Sequence, residues 1–495
     1  MFDISSLLAE HPPLAALAQR SGYRWFVVGT VCIGAFLGQL DASITSLVLP
    51  TLEEVFHAPV TEVEWVAIAY LLTLATLVVP VGRLADLLGR KTLYTAGFGL
   101  FILGSALCGL APGLGWLIAF RVLQAAGAAM LQANSVAIIA MVAGRRALGR
   151  AIGMQGAAQA VGLAVGPSVG GLLIAALGWR WVFFIAVPFG LLGTILGWLV
   201  LPLTPRSALA ARQHEQFDWL GAALFGGAVA LGLLGLTYAH TWGWMSRRLW
   251  GVVTGAAVLL GLFVLVERRT TSPLIDFALF RHRAFSAGIV AALLAYAVLF
   301  GSLFLLPFEL ERVLAHGPAE AGAVLSAVPV AIGVMAPAAG IAADYLGASL
   351  PTAAGMLMAA MALVGLALVP LTSLAMLIGL LALLGAGIGL FTPANNSTIM
   401  LSAPPQRQGV AGGLLNMTRS LGTSLGVTLT GTLLALRLTA WVGHPVDRTL
   451  DVPLLALEVA SQEVLLLLAA LALLTALISL VRGAPARRTP GASRR

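Results

Sequence analysis

The sequence predicts an all-α integral membrane protein with fourteen spanning helices, built as two six-helix bundles with a two-helix insert between them. Three observations carry this. Of 495 residues, 59% are hydrophobic and 10% are charged, whereas an ordinary soluble domain carries about 25% charged residues. Fourteen apolar segments are each long enough to cross a bilayer, which takes about 20 residues. The second half of the chain also echoes the first at a nearly constant offset.

Composition excludes several functions. So few charges cannot cover the apolar surface of a soluble chain this long, so a soluble enzyme, a disordered scaffold and a nucleic-acid-binding protein all fit poorly. Cys32 and Cys108 lie in apolar runs, without metal spacing or a disulfide framework. The single lysine, Lys91, follows Arg90; a Walker A loop needs a glycine there, so the chain carries no P-loop energy source. The seven histidines fall in tails or loops with no H-E-x-x-H pair. The run Gly385-Ala-Gly387-Ile-Gly389 lies within an apolar span with no preceding strand, unlike a nucleotide fingerprint. No cofactor, metal or catalytic residue is expected.

Each element follows in order. The run 25–50 comes after Arg20 and Arg24 and lacks a small-residue cleavage site, so it reads as a span and not a signal peptide. Spans 63–82 and 92–111 flank a loop with Arg83, Arg90 and Lys91; spans 115–143 and 150–176 flank Arg145 and Arg146. Span 180–202 completes a first bundle, 25–202. The linker 203–284 holds two inserted spans, 219–239 and 249–266. The second bundle, 285–482, contains 285–307, 319–340, 351–370, 373–401, 409–435 and 462–482. Residues 1–24 are then a cytoplasmic N-terminal segment and 483–495 a basic cytoplasmic tail.

With the N-terminus inside, 20 of the 28 basic residues fall in inside segments and 6 outside, leaving Arg121 and Arg419 within spans. This satisfies the positive-inside rule. It also assigns the net charge of +8 to the face against the cytoplasmic leaflet of the cell's inner membrane, with no nucleic acid required. Gly82, Asp86 and Gly89 recur 258 residues on as Gly340, Asp344 and Gly347; Gly127, Gly153, Gly162, Gly166 and Gly171 recur at 260. The offsets map spans one to six onto nine to fourteen. Parallel repeats of this kind suggest a transporter whose path lies between the halves.

Four motifs follow. The first span holds Leu40-Asp41-Ala-Ser43-Ile44-Thr45-Ser46 through Pro50, and Asp41 is the sole acid well inside any span, a costly placement that marks a functional candidate. The second motif is Gly82-Arg-Leu-Ala-Asp86-Leu-Leu-Gly89-Arg90-Lys91; its glycines allow a tight turn and its acid can accept from a helix N-terminus or pair with arginine. The third is Arg121-Val-Leu-Gln124-Ala125-Ala-Gly127 in the fourth span. Asp41 lies nine residues from Pro50 and Arg121 six from Gly115, roughly 13 and 9 Å deep, so the two can meet. The fourth is Gly162-Leu-Ala-Val-Gly166-Pro167-Ser-Val-Gly170-Gly171, whose spacing suits backbone contact between helices and whose proline permits a bend.

Together these residues resemble the major facilitator superfamily, and within it the fourteen-helix drug:proton antiporter branch, over nearly the whole chain. Trp179-Arg-Trp181-Val-Phe183-Phe184 through Pro188 is similar to that branch as well. The sequence departs from the family at Ser46, where asparagine is common, and at Ala125, where glycine is usual. The resemblance implies that the Gly82–Lys91 loop clasps the other half and gates inward opening, and that the Gly162–Gly171 motif belongs to exporters. Because Gly347 is followed by Ala348 and Ser349, the second copy of the loop has lost its charges, and one strong clasp is expected, not two.

Asp41 is expected to couple protons, tuned by Arg121, since burial opposes a charged carboxyl and an arginine favours it; the competing reading is a purely structural pair. Amides and aromatics in spans either line a cavity or bridge helices. On that basis Trp65, Tyr70, Gln124, Gln155, Gln159, Asn395, Asn396, Asn416 and Arg419 are substrate candidates. Arg419 occupies the repeat position of Gln159. Glu309 and Glu311 either draw cationic compounds to the cavity mouth or are solvated helix-end charges. Trp242 and Trp244 read as interfacial anchors. The expected function is proton-driven export of amphipathic small molecules, cationic ones included, as in multidrug efflux. Export of a specific lipid or metabolite is the alternative; a membrane-embedded enzyme or a non-transporting receptor fits less well. The expected partners are a small-molecule substrate, protons and the bilayer, and a periplasmic adaptor is compatible with them.

Overall fold

The computed structural model describes residues 12–58, 60–204, 216–243, 246–270, 273–275, 277–310, 318–369, 373–404, 407–442 and 453–481. Among them there is no strand. Thirteen helices are long and apolar enough to span a bilayer, and one bent pair makes a fourteenth. We label the spans α1 (Tyr23–Phe56), α2 (Trp65–Leu88), α3 (Arg90–Gly109), α4 (Leu114–Gly144), α5 (Ala147–Gly166 and Ser168–Leu177), α6 (Trp181–Val200), α7 (Trp219–Trp242), α8 (Arg247–Glu267), α9 (Arg283–Phe308), α10 (Glu320–Leu346), α11 (Ser349–Leu368), α12 (Leu374–Ser402), α13 (Gln408–Val442) and α14 (Leu454–Val481). The last begins eight residues before the expected 462, because Leu454–Ala460 is apolar enough to continue the helix past Glu458 and Glu463.

Local chemistry sets the boundaries. Helicity runs from α4 to α5 with one interruption, Gly144 at φ 63° and ψ 169°. Only glycine takes that conformation without a Cβ clash, so the chain reverses without a loop. The two α5 segments meet at 42° around Pro167, whose missing N–H breaks the helical ladder; the Pro167 side chain itself lies outside the described residues. In the insert, Asp218 caps α7 by accepting from the Gly221 N–H at 2.7 Å, and Ser246 caps α8 through the Leu249 N–H at 3.1 Å.

The halves α1–α6 and α9–α14 repeat each other's packing. In the first, α1 packs on α5; in the second, α9 packs on α13. Gly162 faces the Phe36 carbonyl and Gly422 faces the Leu293 carbonyl, where an added Cβ would sit 2.6 Å from each oxygen. The halves join through α2 with α13 and through α5 with α10, toward the end of the bundle that carries Arg83, Arg90, Lys91 and Arg150, called here the basic end. The insert helix α7 packs against both α2 and α13, and the Thr428 hydroxyl on α13 donates to the Leu236 carbonyl at 2.8 Å.

Candidate functional site

Three assemblies of polar residues sit inside this apolar frame. The first surrounds Asp41. Arg121 Nη1 reaches both carboxylate oxygens, at 3.0 and 2.8 Å, and the Gln124 side-chain amide donates to one of them at 2.8 Å. Arg121 also donates through Nε to the Val66 carbonyl at 3.1 Å and through Nη1 to Gln124 Oε1 at 2.7 Å. Gln124 donates in turn to Ser105 Oγ at 3.2 Å, and Ser105 donates to the Phe183 carbonyl at 2.8 Å. The guanidinium lies 4.2 Å from the Tyr70 ring centroid, a desolvated cation–π contact. Asp41 is 7% exposed and Arg121 1%. Charges so deep persist only when paired and hydrogen-bonded, and this network, drawn from α1, α2, α3, α4 and α6, meets that requirement.

The α5 glycines abut the same place. Ser43 donates to the Gly162 carbonyl at 3.3 Å, and a Cβ on Gly166 would collide with the Ser43 side chain. Gly162 and Gly166 therefore bring α5 onto the turns of α1 that hold Asp41. Gly170 is buried and Gly171 half-buried beyond the bend.

The second assembly is a pair of latches at the basic end. Asp86 Oδ1 accepts from the Gly409 N–H at 3.2 Å, at the start of α13, and from Arg90 Nη2 at 2.9 Å. A Cβ on Gly82 would lie 2.5 Å from the Gly409 carbonyl oxygen. Gly89, at φ 106°, turns the chain so that Arg90 faces back to Asp86 while Lys91 Nζ donates to the Leu201 carbonyl at 2.8 Å. The single-clasp expectation is corrected here. Asp344 accepts from the Gly149 and Arg150 N–H groups at the start of α5, at 2.8 and 3.1 Å, and Gly340 packs on the Gly149 backbone. The second loop lost its basic residues but kept its acid and glycine, and a helix N-terminus needs only those from its partner.

The third assembly is a cavity between the halves, made of two adjoining pockets. Gln155, Gln159, Asn396, Asn416 and Arg419 line it, as expected. Arg419 Nη2 donates to Gln132 Oε1 at 2.6 Å. Other candidates lie elsewhere. Gln124 and Tyr70 are consumed by the Asp41 network. Asn395, fully buried, donates to the Gly288 carbonyl at 2.9 Å and bridges α12 to α9. Trp65 begins α2 at the end away from the basic face and is not among the lining residues. Gln39, Gln132, Tyr296 and Thr392 line the cavity and were missed, although the test applied to Gln155, a polar group inside an apolar span, would have found all four.

Glu309 is not a solvated helix-end charge. It is 6% exposed, just past the span that ends at Pro307, with Oε2 unpartnered. Glu311 lies outside the described residues. Burial, and then the charge of Glu458, push Glu309 up to about 7 from the ordinary 4.5. The folded state therefore holds a proton that the unfolded chain releases, so stability falls as pH rises from 4.5 toward 7. Glu309→Gln is expected to raise stability by about 2–3 kcal/mol at pH 8 and to leave it nearly unchanged near pH 4, read as the thermal midpoint of the purified protein at each pH.

A family model described as "Major Facilitator Superfamily" matches residues 31–427. The chain belongs to the major facilitator superfamily. Within this superfamily it is 34% identical over 417 residues to the riboflavin transporter RibZ of Clostridioides difficile, covering 84% of this chain and 89% of that protein. It is 32% identical over 428 residues to the tetracenomycin C resistance and export protein of Streptomyces glaucescens, covering 86% and 78%. Among solved structures, the human organic anion transporter MFSD10 superposes with a TM-score of 0.65 at 15% identity, covering 92% of this chain and 99% of that one; this likeness speaks for the fold alone. The chain is thus a multi-pass membrane transporter of the superfamily.

Proposed function

We propose that this transporter exports a small molecule across the inner membrane in exchange for protons, by alternating access. The observation that carries the reading is the Asp41–Arg121–Gln124 network, a fully hydrogen-bonded carboxylate in the midst of one bundle. In this reading, protonation of Asp41 goes with release of Arg121 and rearrangement of α1 against α4 in one event. The Tyr70 ring stacks on Arg121 and lies within electrostatic reach of Arg419 in the cavity, which gives that event a route to bound substrate. The latches close the basic end, which the charge distribution assigns to the cytoplasm with both termini.

The test uses purified protein in proteoliposomes with an imposed pH gradient. Compound accumulation should follow the gradient, collapse with a protonophore and be matched by counterflow of protons. Accumulation that ignores both gradient and protonophore overturns the coupling.

A further inference from the structure

The cavity is one-sided in charge. Nineteen residues line its two pockets; one is charged, Arg419, and none is acidic. Among the described residues Arg419 forms no ion pair, and it meets the neutral groups Gln132 Oε1, at 2.6 Å, and the Tyr296 hydroxyl. The one carboxylate deep in the spans, Asp41, is 7% exposed and held by Arg121 and Gln124. Beside Arg419, Gln155 is 5% exposed and leaves its Oε1 without a partner, while its amide nitrogen is fixed on Ser135 at 3.0 Å. The pocket thus presents a guanidinium and an unused carbonyl acceptor within an otherwise amide and apolar lining.

A cation here would meet an uncompensated positive charge, and like charges repel. An anion or an acceptor-rich neutral group would instead supply the oxygen partners that a half-buried guanidinium needs. Gln155 Oε1 adds a preference for a ligand N–H or O–H next to those oxygens. We propose that the transported class is an organic anion or an imide-like, acceptor-rich compound bound by Arg419, and not an organic cation. This rests on the transporter reading but not on proton coupling. It has one electrical consequence: a monoanion leaving as a proton enters moves two charges in the same sense, so membrane potential adds to the pH gradient, whereas exchange of a monocation for one proton is electrically silent.

The experiment has two arms. In detergent, with no gradient, anisotropy titrations measure binding of carboxyfluorescein, an anion, and ethidium, a cation, to the full chain. Carboxyfluorescein should bind, and Arg419→Gln should weaken it at least about tenfold, with Arg419→Lys between the two. Ethidium should bind at least tenfold more weakly than carboxyfluorescein to the wild type. Thermal midpoints of the variants guard against misfolding. In proteoliposomes, carboxyfluorescein transport should rise with an imposed potential as well as with ΔpH. Wild-type preference for ethidium, or carboxyfluorescein binding unaffected in Arg419→Gln, overturns the anion class while leaving the transporter reading intact. Binding that behaves as expected without gradient-driven transport overturns the proton exchange while leaving the anion site.

Discussion

Asp41→Asn is expected to abolish accumulation driven by a pH gradient, by about 100-fold or more, while substrate still binds and exchanges down its own gradient. Asparagine keeps the size of the side chain but cannot carry a proton, so a cycle that depends on alternate protonation has nothing to alternate. The variant also leaves the Arg121 guanidinium, 1% exposed, without its counter-ion. Breaking a buried pair from one side costs about 3–5 kcal/mol, so a loss of transport alone does not separate coupling from misfolding. The double variant Asp41→Asn, Arg121→Gln does. It removes both charges and leaves amides able to hydrogen-bond each other and Gln124. Its thermal midpoint should recover most of the loss, and gradient-driven accumulation should remain absent. If the double variant accumulates compound with unchanged pH dependence, the pair is structural.

The second large effect concerns the symmetric latches. Gly340→Val should drive the protein away from closure at the basic end and cut transport by at least tenfold. A Cβ at Gly340 would run into the backbone of Gly149, which has no flexible side chain to move aside. Overpacking of this kind costs about 1–3 kcal/mol, enough to reduce the closed population by roughly 5- to 150-fold. The readout is the distance between spin labels on the basic ends of α5 and α10, which should lengthen. Gly82→Val should do the same between α2 and α13. An effect at Gly82 with none at Gly340 would restore the single-clasp view. Asp344→Asn should show a milder shift than Gly340→Val, because the amide oxygen still accepts one of the two N–H bonds.

The spans, the repeat and the two-helix insert were legible because lipid imposes long apolar runs with loops between them. The meeting of Asp41 and Arg121 was legible from depth alone, since both had to sit at one level of the bilayer. What the sequence hid was direction. Gln124 and Gln155 are both glutamines in apolar spans, yet one turns into the ion-pair network and the other toward the cavity, and which face a helix shows its neighbours depends on rotation that composition does not encode. The second latch was hidden for a different reason: Asp344 takes its partners from backbone N–H groups, which every residue but proline possesses and no sequence pattern displays.

The insert bears on the symmetry of the two seams between the halves. With α7 lying across the junction of α2 and α13, one seam between the halves is covered on its lipid side, and the seam between α5 and α10 has no such cover among the described residues. The two seams between the halves are therefore not equivalent: one is doubled by a helix of the insert, and the other is closed by α5 and α10 alone.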